Sequence, residues 1–293
     1  DATQDTNNGN FEGIIIKASE ATVRNLELAA SDTLEFNTGV QEVTLNNLTF
    51  ANGSSLAFND REILVNSAKL NFEGTLNIAS DRIVTFANEI EIIENATLSI
   101  DIADVKFNIV SGLGTLSLDN DATDILAGTL NADIDVTKDA NVKDVVIGDV
   151  VVDVANNEFL TIEGNSEVNG QIVLNADDSN TSKVVFKDTL SGVGSVTGAA
   201  SVSQDNIVDL AGVTLSGVTL GTDSAVSASA DSSLNNITSY VDLDANGQTV
   251  TVSGLTVEAD LTLRADTGKI VLNGVVNVAE GKTLTFDGAI EGD

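Results

Sequence analysis

Thr33-Leu34-Glu35-Phe36 is the first of five related phrases that decide the fold of this chain. The other four are Ser55-Leu56-Ala57-Phe58, Thr75-Leu76-Asn77-Ile78, Thr97-Leu98-Ser99-Ile100 and Thr115-Leu116-Ser117-Leu118. Successive copies begin 22, 20, 22 and 18 residues apart. In each copy polar and apolar residues alternate, which in a β-strand sends the apolar side chains to one face. A strand that returns about every 21 residues predicts a β-solenoid.

The spacing of the phenylalanines indicates the same period independently. Three pairs stand one period apart, by 22, 22 and 21 residues: Phe36 and Phe58, Phe50 and Phe72, and Phe86 and Phe107. Residues one coil apart stack directly in a parallel solenoid, about 4.8 Å from each other. We therefore expect the rings to form short ladders inside the core.

These patterns predict an all-β fold, a parallel β-helix (β-solenoid) of about 13 to 14 coils with a period of about 21 residues. Residues 1–10 carry no apolar side chain larger than alanine and are expected to form a flexible N-terminal tail. Residues 11–293 are predicted to form a single β-solenoid domain, with a looser middle over residues 121–240 where the period blurs. A tandem β-sandwich is the alternative fold and would show antiparallel pairing.

The composition excludes several classes of function. Asp and Glu number 45 against 13 Lys and Arg, and the formal charge of −32 disfavours partners such as nucleic acid or an anionic membrane surface. No run of 18 apolar residues occurs, so no membrane span is expected. The chain has no cysteine and does not begin with Met or a leader, which fits a mature secreted protein or an excised fragment. We expect an extracellular or cell-surface location.

Two Gly-x-Gly elements carry a resemblance to a known family. Ser111-Gly112-Leu113-Gly114-Thr115-Leu116 and Ser191-Gly192-Val193-Gly194-Ser195-Val196 resemble the Gly-x-Gly-Thr-Leu element of the β-strand repeats in autotransporter passenger domains. Residues 241–254 are similar to another part of that repeat. The resemblance implies a right-handed parallel β-helix on a bacterial surface, often an adhesin. The chain departs from the family because it has no membrane-barrel segment and lacks the aromatic-rich Gly-Thr repeats.

One stretch has the opening spacing of a calcium loop: Asp242-x-Asp244-x-Asn246-Gly247. Alternate side-chain oxygens would reach one Ca²⁺ ion, and the glycine would permit the tight turn. Ser253 stands where such a loop has its bidentate glutamate, so a plain Asn-Gly turn is the alternative interpretation. A second, weaker acidic cluster consists of Asp119, Asp121 and Asp124. No other cofactor is expected.

The favoured function is that of a non-enzymatic extracellular structural protein. An uncapped solenoid exposes a strand edge at each end, and copies that stack head to tail would satisfy both edges in a filament or surface layer. The strands at Ile14–Ile16 and Leu284–Phe286 are the predicted mating ends.

Two alternatives stay open. The first is an adhesin stalk or passenger that attaches to surface glycans or to a host cell. The second, more remote, is a polysaccharide-active β-helix enzyme, with its paired charges at Asp60/Arg61 and Asp81/Arg82. The chain has no histidine and only one tyrosine, which weakens the enzymatic hypothesis.

Overall fold

A computed structural model describes residues 2–7, 10–16, 20–59, 62–67, 70–80, 83–101, 104–121, 123–177, 179–198 and 205–292. Within these ranges the chain contains β-strands and no helix. Strands one coil apart pair in parallel, and the fold is an all-β parallel β-solenoid of about 13 turns. The predicted fold class is confirmed, and the parallel pairing differs from that of a β-sandwich.

The chain divides into two compact units, Asp1–Ala140 and Asn141–Asp293. The strands that begin in the first unit are β1 (Ala2–Asn7), β2 (Asn10–Ile16), β3 (Glu20–Leu28), β4 (Thr33–Phe36), β5 (Glu42–Phe50), β6 (Ser54–Phe58), β7 (Glu62–Ser67), β8 (Asn71–Phe72), β9 (Thr75–Ser80), β10 (Ile83–Ile92), β11 (Thr97–Ile100), β12 (Asp104–Leu118), β13 (Thr123–Val136) and β14 (Ala140–Lys143). The single domain predicted over residues 11–293 stays a prediction.

The second unit continues with shorter strands. They are β15 (Val145–Ile147), β16 (Val151–Val154), β17 (Phe159–Glu163), β18 (Asn165–Val168), β19 (Gln171–Leu174), β20 (Ser182–Phe186), β21 (Thr189–Ser191), β22 (Ser195–Gly198), β23 (Asn206–Ala211), β24 (Thr214–Ser216), β25 (Thr219–Leu220), β26 (Ala225–Ala230), β27 (Ser232–Ser239), β28 (Leu243–Asp244), β29 (Thr249–Val257), β30 (Leu261–Arg264), β31 (Lys269–Leu272), β32 (Val276–Val278), β33 (Leu284–Asp287) and β34 (Ile290–Gly292). Their shortness follows from frequent turns that contain Gly, Asn and Asp.

The repeated phrases of the first unit place their leucines in the core. Leu34 on β4 lies opposite Leu56 on β6. Leu98 on β11 lies opposite Leu76 on β9 and Leu116 on β12. All five leucines are fully buried. The alternation therefore directs the apolar side chains inward, and each coil buries the apolar face of the next.

One predicted step of the repeat is wrong by two residues. The spacing placed Ser55 opposite Thr75, but the structure pairs Ser55 with Asn77 and Leu56 with Ile78. The observed step is therefore 22 residues rather than 20. Because side chains alternate with a period of two, a shift of two residues keeps the apolar side chains on the core face. The hydrophobic pattern alone cannot distinguish these two registers.

The phenylalanine ladders are confirmed. Each predicted pair lies opposite in register on parallel strands: Phe36 and Phe58, Phe50 and Phe72, and Phe86 and Phe107. The rings of the first pair are stacked with centroids 5.3 Å apart and planes 11° apart. Those of the third pair are stacked at 5.5 Å and 16°. Stacked aromatic pairs add about 0.5 to 1.5 kcal/mol beyond their burial, so these ladders help to fix the register.

The N-terminal residues form a strand that the sequence did not predict. Within the expected tail of residues 1–10, β1 pairs antiparallel with β2, so that Ala2 lies opposite Ile16 and Asn7 opposite Asn10. Strand pairing uses backbone N–H and C=O groups and does not require apolar side chains. A polar segment can therefore cover the edge of an apolar strand, and the polar composition of β1 gave no signal of it.

In the second unit the coils vary in length, which explains why the period blurs there. One core column runs through Leu190, Leu215, Leu234, Val252 and Leu272, with each residue opposite the next. The corresponding steps are 25, 19, 18 and 20 residues. The differences in coil length lie in the turns, while the strands keep their register.

The two Gly-x-Gly elements are required by close approach of neighbouring coils. A Cβ on Gly112 would lie 2.0 Å from the Ile92 carbonyl oxygen, and one on Gly192 would lie 1.9 Å from that of Val168. Both glycines also have positive φ, 118° and 134°. Only glycine fits such positions. The elements therefore have a structural reason that is independent of any ligand.

Candidate assembly surface and binding cavity

The last coil of the second unit consists of β32, β33 and β34. These strands pair in parallel with β29, β30 and β31, respectively. Among the residues that the structure describes, no strand pairs with their opposite edge. This edge therefore presents a row of backbone donors and acceptors to which another strand can bind.

The apolar side chains of the last coil are in core register but exposed. Phe286 is 51% exposed and Val278 is 43% exposed. Their partners one coil earlier, Leu263 and Val257, are 1% and 0% exposed. Three further apolar residues of this coil are half-buried: Val276, Leu284 and Ile290. One more coil would bury all five. Because each is already partly covered, the gain for each is smaller than the about 1.5 to 3 kcal/mol of a side chain that passes from full exposure to full burial.

The predicted N-terminal mating strand is not open. Ile14 on β2 lies opposite Gln4 on β1 and also opposite Leu34 on β4. Both edges of β2 are therefore occupied, and the expectation that Ile14–Ile16 exposes a free edge is wrong. The neighbouring strand β3 pairs with β5. No other partner of β3 occurs in the described ranges, and its Val23 and Leu26 are half-buried.

The residues of the predicted calcium loop form an Asn-Gly turn. The backbone N–H of Asn246 donates to Asp244 Oδ1 at 2.8 Å, and Asn246 and Gly247 have φ of 46° and 84°. Asp242 Oδ1 accepts the backbone N–H of Thr262 at 2.6 Å. One oxygen of each carboxylate is thus directed to a backbone amide. Calcium binding by Asp242, Asp244 and Asn246 stays a prediction.

The weaker acidic cluster is spread over different contacts. Asp119 accepts hydrogen bonds from the hydroxyls of Ser99, Ser117 and Thr137. Asp124 lies opposite Asp104 on the neighbouring strand. Asp121 is an exposed turn residue. No group of three or more His, Cys, Asp or Glu side chains suited to a metal ion occurs in the described part of the chain.

Two carboxyl groups in this region have shifted pKa values. Burial would raise the pKa of Asp119, but the hydrogen bonds from Ser117, Ser99 and Thr137 outweigh it and lower the pKa below its ordinary value of 3.8. Burial and the charge of Asp124 raise the pKa of Asp104, against the opposing effect of Lys106. Asp119 therefore behaves as a structural acceptor that links neighbouring coils.

A polar cavity of about 370 Å³ opens beside the predicted calcium loop. Its charged and aromatic lining residues are Asp223, Asp242, Asp244, Asp260, Tyr240 and Arg264. Sequence reasoning missed this cavity because its residues come from successive coils. The signal that could have found it is Tyr240, which is the only tyrosine of the chain and is 39% exposed.

A polar ladder begins among the lining residues of the cavity and continues beyond them to Asp287. Ser227 lies opposite Asp244, Asp244 opposite Arg264, and Arg264 opposite Asp287. The guanidinium of Arg264 is 3.8 Å from both Asp242 and Asp287. These distances exceed those of hydrogen bonds, so the ion pairs are loose and exposed.

The charge pairs of the enzymatic hypothesis, Asp60/Arg61 and Asp81/Arg82, lie outside the described residues.

Comparisons with protein-family models, with curated proteins and with solved structures each find no match. Among the described residues no helix is long and apolar enough to cross a membrane. The β-solenoid fold is therefore shown, and membership of the autotransporter passenger family stays a prediction.

Proposed function

We propose that this protein is a non-enzymatic structural β-solenoid that assembles end to end with further copies through its last coil. The observation that carries the proposal is the exposure of apolar side chains in core register, with Phe286 51% exposed against 1% for Leu263 beneath it. The open strand edge of β32, β33 and β34 adds backbone hydrogen bonds that a partner strand can complete. Together they have the chemistry of a coil-to-coil contact.

A second copy fits this surface better than an unrelated partner. The occupant must bring strands that run parallel to three walls at once and place apolar side chains above Val278, Leu284 and Ile290. Inside the chain this is achieved by stacking like on like, as with Leu34 on Leu56. The first coil of another copy offers the open edge of β3, and it offers β2 when β1 is displaced. Such a head-to-tail contact is heterologous and produces filaments or layers.

The charge of the chain sets the conditions for assembly. A formal charge of −32 makes copies repel each other at low ionic strength. At about 0.15 M salt the screening length falls to about 8 Å, so the apolar contact can dominate. An extracellular location is part of this proposal, and it rests on the acidic, cysteine-free sequence.

An adhesive role is the second candidate. The observation in its favour is the polar cavity beside Tyr240, which can bind a ligand without involving the last coil. The two roles are compatible, since a stacked solenoid would repeat the cavity along its length.

Sedimentation velocity and electron microscopy of the purified chain at about 0.15 M salt test the assembly proposal. We expect concentration-dependent oligomers or filaments for the wild type and monomers for Phe286→Asp. Leu113→Asp is the matched control, because Leu113 is 81% exposed but lies on the Gly-x-Gly element of β12. Wild-type protein that stays monomeric at every concentration, or equal loss of assembly in both variants, would overturn the proposal.

A further inference from the structure

We propose that the cavity beside Tyr240 binds a neutral glycan chain, and that the ladder of Ser227, Asp244, Arg264 and Asp287 continues this binding site along the solenoid. The cavity is lined by residues 223–264 and the proposed mating surface lies in residues 276–290, so binding in the cavity can be tested separately from end-to-end assembly. Of the ladder, only Asp287 belongs to the last coil.

The carboxylates of the cavity are held in fixed orientations. Asp242 Oδ1 accepts the backbone N–H of Thr262 at 2.6 Å, and Asp260 Oδ1 accepts that of Thr283 at 2.7 Å. Each bond uses one oxygen and leaves the second oxygen of the same carboxylate for other donors. Fixed acceptors of this kind reduce the entropy lost when a ligand hydroxyl binds.

Arg264 supplies hydrogen-bond donors in the same cavity. Its distances of 3.8 Å to Asp242 and to Asp287 are too long for hydrogen bonds, so its N–H groups are not committed to these two carboxylates. A guanidinium has five N–H donors in a planar fork. The cavity thus places donors and acceptors side by side, which matches hydroxyl groups because each hydroxyl both donates and accepts.

Tyr240 adds an apolar ring beside these polar groups. The residue lines the cavity and is 39% exposed. An aromatic ring with a polar tip can pack against the C–H face of a sugar while its hydroxyl stays solvated. The volume of about 370 Å³ lies near the lower end of small-ligand pockets, which is adequate for a short segment of glycan.

The charge of the cavity disfavours an anionic ligand. Four aspartates line the cavity against one arginine, so an anionic sugar would be repelled. A cationic ligand is attracted by the aspartates and repelled by Arg264, so cationic probes are the competing ligands in the titration. A neutral, hydroxyl-rich chain can accept from the N–H groups of Arg264 and donate to the carboxylates, whereas a metal ion cannot use the N–H donors. The ladder residues repeat at the spacing of β-strands, about 4.8 Å, which is similar to the length of one sugar unit in an extended glycan.

The chain provides its own single-site reporter. It contains one tyrosine and no tryptophan, so tyrosine fluorescence reports on Tyr240 alone. The full chain would be titrated with neutral oligosaccharides built from glucose, galactose, mannose or N-acetylglucosamine, and with oligogalacturonate, chitosan oligomers and Ca²⁺ as charged probes. We expect a saturable change in emission with at least one neutral probe and weaker responses to the charged probes.

Calorimetry with variants then locates the site. Tyr240→Ala and Arg264→Gln should each weaken binding of the responding neutral probe at least tenfold. Phe159→Ala is the matched aromatic control, since Phe159 has the same 39% exposure outside the cavity, and Lys269→Gln is the charge control. Both controls should bind as the wild type does. The proposal is overturned if no neutral probe changes the emission, if a charged probe or Ca²⁺ binds more tightly, or if the cavity variants bind like the controls.

Discussion

The first and last coils of this solenoid differ in whether their strand edges are paired. At the N-terminal edge, β2 is paired on both sides because β1 folds back on it in antiparallel orientation. In the last coil, β32, β33 and β34 are paired on one side, and Phe286 and Val278 are exposed. The contrast shows that an apolar strand at the start of the chain need not have an open edge. In the first coil a short polar strand covers the edge of β2, whereas no described strand covers the last coil.

Leu263 and Phe286 lie opposite each other in the same column, but their truncation should cost very different amounts of stability. Leu263→Ala should lower the free energy of unfolding of the second unit by about 3 kcal/mol, because it leaves a cavity at a fully buried position. Phe286→Ala should cost about 1 kcal/mol or less in the monomer, since half of its surface is already exposed. Urea unfolding at low salt, followed by circular dichroism, measures both.

The costs of the same two substitutions should change when the protein assembles. If another copy covers Phe286, the cost of Phe286→Ala should rise toward that of Leu263→Ala when the protein is assembled. Equal costs in the monomer would contradict the structural difference between the last coil and the coil before it.

Strand β1, which covers the edge of β2, should limit assembly. Deletion of residues 1–9 removes β1 and opens the edge of β2, so the first coil should accept the last coil of another copy more readily. We expect assembly to begin at a protein concentration lower by on the order of tenfold, equivalent to about 1.4 kcal/mol. Sedimentation velocity over a dilution series measures this concentration.

The control for this deletion is a chain in which residues 1–9 are replaced by nine residues of Gly and Ser. It should assemble as readily as the deletion variant, because a flexible segment does not cover the edge. Weaker assembly after removal of β1 would mean that β1 itself is part of the contact rather than its cover.

Much of the fold could be predicted because a solenoid repeats its pattern. The alternation in Thr33–Phe36 and its copies gave the strands, and the spacing of Phe36 and Phe58 gave the stacking. The step from Ser55 to Thr75 failed because a shift of two residues leaves the pattern unchanged. β1 was missed for a different reason, since pairing through the backbone leaves no trace in side-chain polarity.

The candidate sites were harder to predict from sequence. Leu284–Phe286 was correctly predicted to be a strand. Its residue types resemble those of a buried strand, and its exposure follows from the fact that no described strand packs on its outer edge. The polar cavity brings Tyr240 together with Arg264, which lies 24 positions later in the chain. Coil lengths vary in this unit, so their proximity could not be obtained from a fixed period.

The weakest effects are expected for two carboxylates, Asp119 and Asp287. Asp119 lies between coils and accepts three hydroxyl hydrogen bonds, whereas Asp287 in the last coil faces Arg264 at 3.8 Å. The folded-state pKa of Asp119 is lowered from 3.8, so its stabilising contribution is present above about pH 4. That contribution is lost as the pH falls through the lower folded-state pKa.

Asp119→Asn should therefore destabilise the first unit by less than about 1 kcal/mol near neutral pH, because the site is partly screened by solvent. The difference from wild type should shrink as the pH falls below 3.8. Asp287→Asn is the matched variant from the last coil, and its effect should be smaller because its ion pair is loose and exposed. Thermal unfolding between pH 7 and pH 2 measures both. A difference for Asp119→Asn that is constant over this range would show that the hydroxyl bonds do not depend on the carboxylate charge.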